Sequence, residues 1–167
     1  MRFGVVATCF LLAFGARSAA SGQVLFGRSA GFSGAKAGES IRVLIPPRSA
    51  MAAVTTATRR WNALAGWRLF VITEGPAEVQ FKSRSSMPSC SVGCALVSPS
   101  YTQSYEGCWF HIGPSVLEST SAVDVAMHEL GHCLGFMHQP RGVMSATIAT
   151  FDRDFDRHLL VRSGYAR

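Results

Sequence analysis

The sequence predicts an α+β domain, and three observations carry that expectation. Short β-type runs and amphipathic helical patterns follow one another as strand, helix, strands, helix, turn, helix. No internal repeat interrupts that order. With 167 residues, 48% of them hydrophobic, the chain has enough apolar side chain for one core.

The first twenty residues stand apart from that core. Arg2 supplies a positive charge, Gly4 to Phe14 form an uncharged apolar run, and the small residues Ala16, Ser18, Ala19 and Ala20 follow. This order reads as a secretory signal peptide over 1–20, cleaved near Ala20. Its apolar run is too short to span a bilayer, and Cys9 lies inside the run rather than after it, unlike a lipid-anchored cysteine. The expected location is therefore outside the cytoplasm, extracellular or periplasmic, with no membrane anchor after cleavage. Loss of Arg2 and Arg17 lowers the net charge from +6 to +4. The remaining arginines, among them Arg28, Arg42, Arg59 and Arg84, are scattered. Without a dense basic run interleaved with aromatics, they describe a solvated surface and no nucleic-acid partner.

Residues 21–40, rich in Gly, Ser and Ala, read as a flexible N-terminal arm or short pro-segment ahead of a domain at 41–167. Ile41–Ile45 alternates as a strand does and is stopped by Pro46-Pro47. Ala50, Val54, Ala57, Trp61 and Leu64 recur at helical spacing, predicting a helix from Ser49 to about Gly66. Arg68–Thr73 and Glu78–Lys82 are predicted strands around a Gly75-Pro76 turn, and 83–91 is polar and turn-like. Two more short strands are expected at Ala95–Ser98 and Trp109–Ile112. Ser121 and Asp124 then suggest a capping box. It would open a helix whose stripe Val123, Met127, Leu130 and Leu134 faces the core. Gly135 can end that helix in a left-handed conformation. A last helix is predicted over about 152–162, carrying Phe155, Leu159 and Leu160.

Four cysteines remain after signal cleavage: Cys90, Cys94, Cys108 and Cys133. An exported chain can pair them in three ways. The crowding of three within 90–108 suggests a stapled hairpin or loop, whereas Cys133, inside a predicted helix, reads equally well as a buried free thiol.

The densest chemistry lies at 128–144. His128 and His132, four apart on a helix, project from one face and can reach one small cation. Glu129 beside them is placed to take a proton from water on that cation. Gly135 turns the chain, so that His138 can return as a third nitrogen ligand. Three neutral imidazoles suit zinc and leave a fourth position for water, the mark of a catalytic ion. By composition alone, His-Glu-x-x-His arises by chance in about 0.5% of such chains, and the glycine and third histidine lower that to on the order of 10⁻⁵.

The pattern His128-Glu129-x-x-His132-x-x-Gly135-x-x-His138 followed by Met144 resembles the metzincin clan of zinc metalloendopeptidases. Val125-Ala126-Met127-His128-Glu129-Leu130-Gly131-His132 is most similar to the matrixin branch. The resemblance implies a small twisted mixed sheet with an active-site helix, a Met-turn and a C-terminal helix. It also implies that Met144 lies beneath the imidazoles, that one catalytic Zn2+ is bound, and that Glu129 is the catalytic general base. Three departures stand out. The interval from His138 to Met144 is short, position 146 is Ala where astacin-like relatives place a tyrosine ligand, and no cysteine switch is present. No Cys occurs between 21 and 89 and no Asp before 124, so Glu39 is the only carboxylate the arm could lay on the site.

The implied reaction is hydrolysis of internal peptide bonds. The expected partner is a protein or peptide, extended antiparallel to an edge strand, here Ala95–Ser98, and the enzyme itself is expected to be a monomer. The alternative is a secreted module that keeps zinc for stability without turnover; the intact Glu129 argues against it. His111 and His158 read as ordinary residues, and the few carboxylates give no second zinc or structural calcium. Asp152, Asp154 and Asp156, alternating with Arg153 and Arg157, read as a solvated ion-pairing face.

Overall fold

The computed structural model of the protein describes residues 31–82, 92–98, 106–147 and 149–166. The expected signal peptide, the start of the arm, the polar stretch 83–91 and Cys90 lie outside the described residues.

Strand β1 (Ile41–Leu44) buries Ile41 and Val43 and exposes Arg42, the alternation its sequence requires. Pro47 then caps helix α2 (Arg48–Ala65). Ala50, Val54, Ala57, Trp61 and Leu64 form its buried stripe, as their spacing predicts. Gly66, at φ +80°, ends it in the left-handed region. The chain returns as β2 (Phe70–Thr73), parallel to β1, with Ile41 opposite Phe70. Asn62 locks the crossover: its amide donates to the Phe70 carbonyl at 2.9 Å and its oxygen accepts from the Phe70 N–H at 2.7 Å. Strands β3 (Val79–Phe81), β4 (Gly93–Ser98) and β5 (Gly107–Ile112) complete a five-stranded sheet in the order β2-β1-β3-β5-β4. Among the described strands only β4 runs antiparallel, pairing with β5 from Gly93↔Ile112 to Ser98↔Gly107, and it is the last in the order.

Helix α2 and the central helix α4 (Ala122–Cys133) pack together, and α4 also lies against β4 and β5. Val54, Trp61, Phe70, Phe110, Leu130 and Met144 fill the resulting core. Helix α5 (Arg153–Ser163) closes the domain against α2. The fold is α+β with a mixed sheet. No helix among the described residues is long and apolar enough to cross a membrane.

Local expectations are revised in four places. Two short helices, α1 (Ser33–Lys36) and α3 (Pro114–Leu117), are too brief to leave a sequence period. Residues 31–40, grouped with the flexible arm by their composition, carry Phe32 and Ala35 into the core, and the Phe32 N–H donates to the Tyr165 hydroxyl at 3.0 Å. The capping box does not form. Ser121 has helical dihedrals (φ −83°, ψ −5°), so its hydroxyl makes no cap bond. Asp124 instead pairs with Arg60 at 2.8 Å. Finally, Cys133 is not a free thiol. It is bonded to Cys108, joining α4 to β5, and Cys94 is disulfide-bonded as well.

Candidate metal centre

One turn of α4 separates His128 from His132, and their Nε2 atoms lie 3.0 Å apart. The helix then ends in a Schellman motif. The N–H of Phe136 reaches the Gly131 carbonyl at 3.0 Å, the N–H of Gly135 reaches that of His132 at 2.9 Å, and Gly135 takes φ +89°. A side chain at 135 would strain this reversal, which brings the Nε2 of His138 to 3.2 Å from that of His128.

The hydrogen bonds behind the rings define the chemistry in front. The Nδ1 of His128 lies 2.7 Å from the Val143 carbonyl, and that of His132 lies 2.8 Å from the Phe136 carbonyl. A carbonyl can only accept, so each Nδ1 carries the hydrogen and each Nε2 presents a lone pair. Lone pairs facing one another at about 3 Å repel unless a cation lies between them. Nitrogens about 2.0–2.1 Å from a tetrahedral zinc stand about 3.3 Å apart, close to the spacing seen. The residues therefore fit a metal ion, and among the described residues these three histidines are the group arranged to hold one. Burial lowers the pKa of all three rings; the neighbouring rings lower it further for His132 and His138, and His138 falls to about 4. Neutral rings are the form a metal requires.

Glu129 is 4% exposed, and burial raises its pKa well above the usual carboxylate value. Its Oε2 has no hydrogen-bond partner among the described residues.

Met144 lies on a turn in which the Ser145 N–H reaches the Gly142 carbonyl at 3.1 Å and Gly142 takes φ +75°. The Met144 carbonyl accepts from the Gln139 N–H at 2.8 Å, tying the turn to the His138 segment. Its side chain is fully buried and runs so close under α4 that a β-carbon on Gly131 would meet the sulfur at 2.2 Å. The sulfur thus sits against the turn of helix that carries His128 and His132.

The sequence reading missed one supporting residue. Asp156 is fully buried, not part of a solvated face. Its Oδ1 accepts from the Val143 N–H at 3.0 Å and its Oδ2 from the Asp152 N–H at 2.9 Å. Because the Val143 carbonyl in turn holds His128, Asp156 anchors the residue that orients this ring from behind. Burial pushes its pKa up to about 6. A signal existed: Asp156, Leu159 and Leu160 share the i, i+3, i+4 spacing of a buried stripe. Asp152 caps α5, accepting from Phe155 N–H at 3.1 Å, and Asp154 is exposed.

The remaining residues of interest lie apart from this group. His111 on β5 is buried, with Nδ1 at 2.8 Å from the Lys82 carbonyl, and lines a hollow of about 470 Å³ with Phe81 and Leu117. His158 is exposed. Glu39 lines a separate small hollow beside Phe32 and Glu78. No protein-family model matches the chain, and no curated protein matches it.

Proposed function

We propose that this protein is a zinc-dependent endopeptidase acting outside the cytoplasm. The observation that carries the reading is the convergence of three imidazole Nε2 atoms beside Glu129, a buried carboxylate on the same helix with an unpartnered oxygen. A purely structural metal site has no use for that carboxylate and ordinarily closes its fourth position with a ligand. The Cys108–Cys133 disulfide supports an oxidising compartment.

His128, His132 and His138 would hold the ion, which when bound supplies the Lewis acidity that acidifies water and polarises a carbonyl. Glu129 takes one proton from the attacking water as the new C–O bond forms. It returns that proton to the amide nitrogen as the C–N bond breaks, and the remaining hydroxyl proton passes to the freed amine, so the products are a carboxylate and an ammonium group. β4 is the last strand of the sheet, and an extended peptide would add beside it as a further strand. Recognition through backbone gives affinity with little sequence preference.

The test is cleavage of unfolded casein by purified protein with and without a zinc chelator, beside a Glu129→Ala variant. Wild type should cleave, lose activity with the chelator and regain it with zinc. The variant should keep stoichiometric zinc while turnover falls by about 10²–10⁴-fold, the usual worth of a general base. Zinc binding with no cleavage by wild type would leave the non-catalytic binding module as the answer.

A further inference from the structure

We infer that Gly93, the first residue of edge strand β4, is a positioning residue for Glu129, and that the empty space at its α-carbon is what seats the general-base carboxylate. The inference rests on the endopeptidase reading for its catalytic meaning but on packing alone for its geometry.

Strand periodicity puts Gly93, Ala95 and Val97 on one side of β4, and Ala95 and Val97 belong to the core beneath α4. The residues on that side enlarge along the strand, from no side chain at 93 to an isopropyl group at 97. At the glycine end, α4 leaves no room for a side chain. A β-carbon on Gly93 would meet the Glu129 Oε1 at 2.4 Å, its carboxyl carbon at 3.1 Å and the Val125 Cγ1 at 3.1 Å. Val125 and Glu129 are four apart, so they are neighbours on the helix surface that faces the strand. The clash with Glu129 is not with the free end of a solvated chain, because Glu129 is 4% exposed.

Among the described residues, no hydrogen bond to Oε2 fixes the carboxylate. Its place is set by what surrounds it, and on the β4 side that is the bare backbone of Gly93. Any side chain there displaces the carboxylate from the strand while leaving His128 and His132, held by the Val143 and Phe136 carbonyls, where they are. The glycine thus couples two parts of one reaction: the edge proposed to hold the peptide and the group that moves the proton.

The experiment is a double-mutant cycle of Gly93→Ala with Glu129→Ala, read by melting temperature, zinc content and casein turnover. Gly93→Ala should lower Tm by about 5 °C when Glu129 is present and by little when residue 129 is Ala. It should also lower kcat by tenfold or more, with KM and one bound zinc per chain unchanged. An equal loss of Tm in both backgrounds would overturn the inference, as would an unchanged kcat. If Gly93→Ala does not fold, Gly93→Ala/Val125→Ala, which removes the second close contact, is compared with Val125→Ala in the same cycle, with the same readings deciding. The Tm coupling does not depend on catalysis. An inactive wild type with the coupling intact would defeat the endopeptidase reading and leave the packing claim standing.

Discussion

At the scale of single residues, the site depends on groups that never touch a metal. Gly131 has no side chain because the Met144 sulfur occupies its place, 2.2 Å from where a β-carbon would stand. Gly131→Ala must shift either Met144 or the helix, and the expected loss is about 1–3 kcal/mol of stability, measured by denaturant unfolding. Asp156→Ala should be costlier for function. It leaves the Val143 and Asp152 N–H groups without their acceptor and loosens the residue whose carbonyl orients His128. Loss of such an outer support typically weakens metal binding about 10–100-fold, which competition with a chromogenic chelator would measure. Asp156→Asn, which can still accept one of the two bonds, should recover part of that loss. Unchanged zinc affinity in both variants would mean that Val143 holds its place without Asp156.

At the scale of elements, the long helices and the strands were legible because their burial repeats at fixed intervals. Ala50, Val54, Ala57, Trp61 and Leu64 fixed α2 to within a residue at each end, and Gly135 ended the segment after α4 in the conformation its lack of a side chain allows. The four-residue α1 and α3 were illegible because one turn carries no period. The failed capping box shows the limit of local pattern. Asp124 had the right spacing, but Arg60, 64 positions away, supplied a better partner. His128 and His132 were legible from their spacing on one helix and His138 from the turn at Gly135, whereas Asp156 was hidden by its charged neighbours Arg153 and Arg157. The Cys108–Cys133 bond could not be read at all, since pairing follows from the stacking of α4 on β5. Its loop, closed across a sequence separation of 25, is worth about 3–4 kcal/mol by chain entropy. A Cys108→Ala/Cys133→Ala protein should be less stable by about that amount in equilibrium urea unfolding.

At the scale of the whole molecule, two titrations oppose one another in mild acid. His138 has its pKa lowered from 6.5 to about 4, so its contribution to stability is complete above about 6.5 and is lost as pH falls through about 4. His128 and His132 shift in the same direction. Asp156 is raised from 3.8 to about 6, so its contribution is complete below about 3.8 and is lost as pH rises through about 6. Between about 4 and 6 the carboxyl therefore offsets part of what the rings lose. In Asp156→Asn that offset is absent, and its stability should fall more steeply than wild type on acidification through this window, as thermal melts at stepped pH would show. Parallel curves would exclude the carboxyl as the source. The disulfide carries a different consequence under the proposed endopeptidase activity. Ser115 and Glu118 to Ser121 are exposed on the stretch between β5 and α4. A nick there would not release the helix bearing His128 and His132, because the sulfur bridge spans the cut. The two fragments should migrate together on a non-reducing gel and part only when thiol is added.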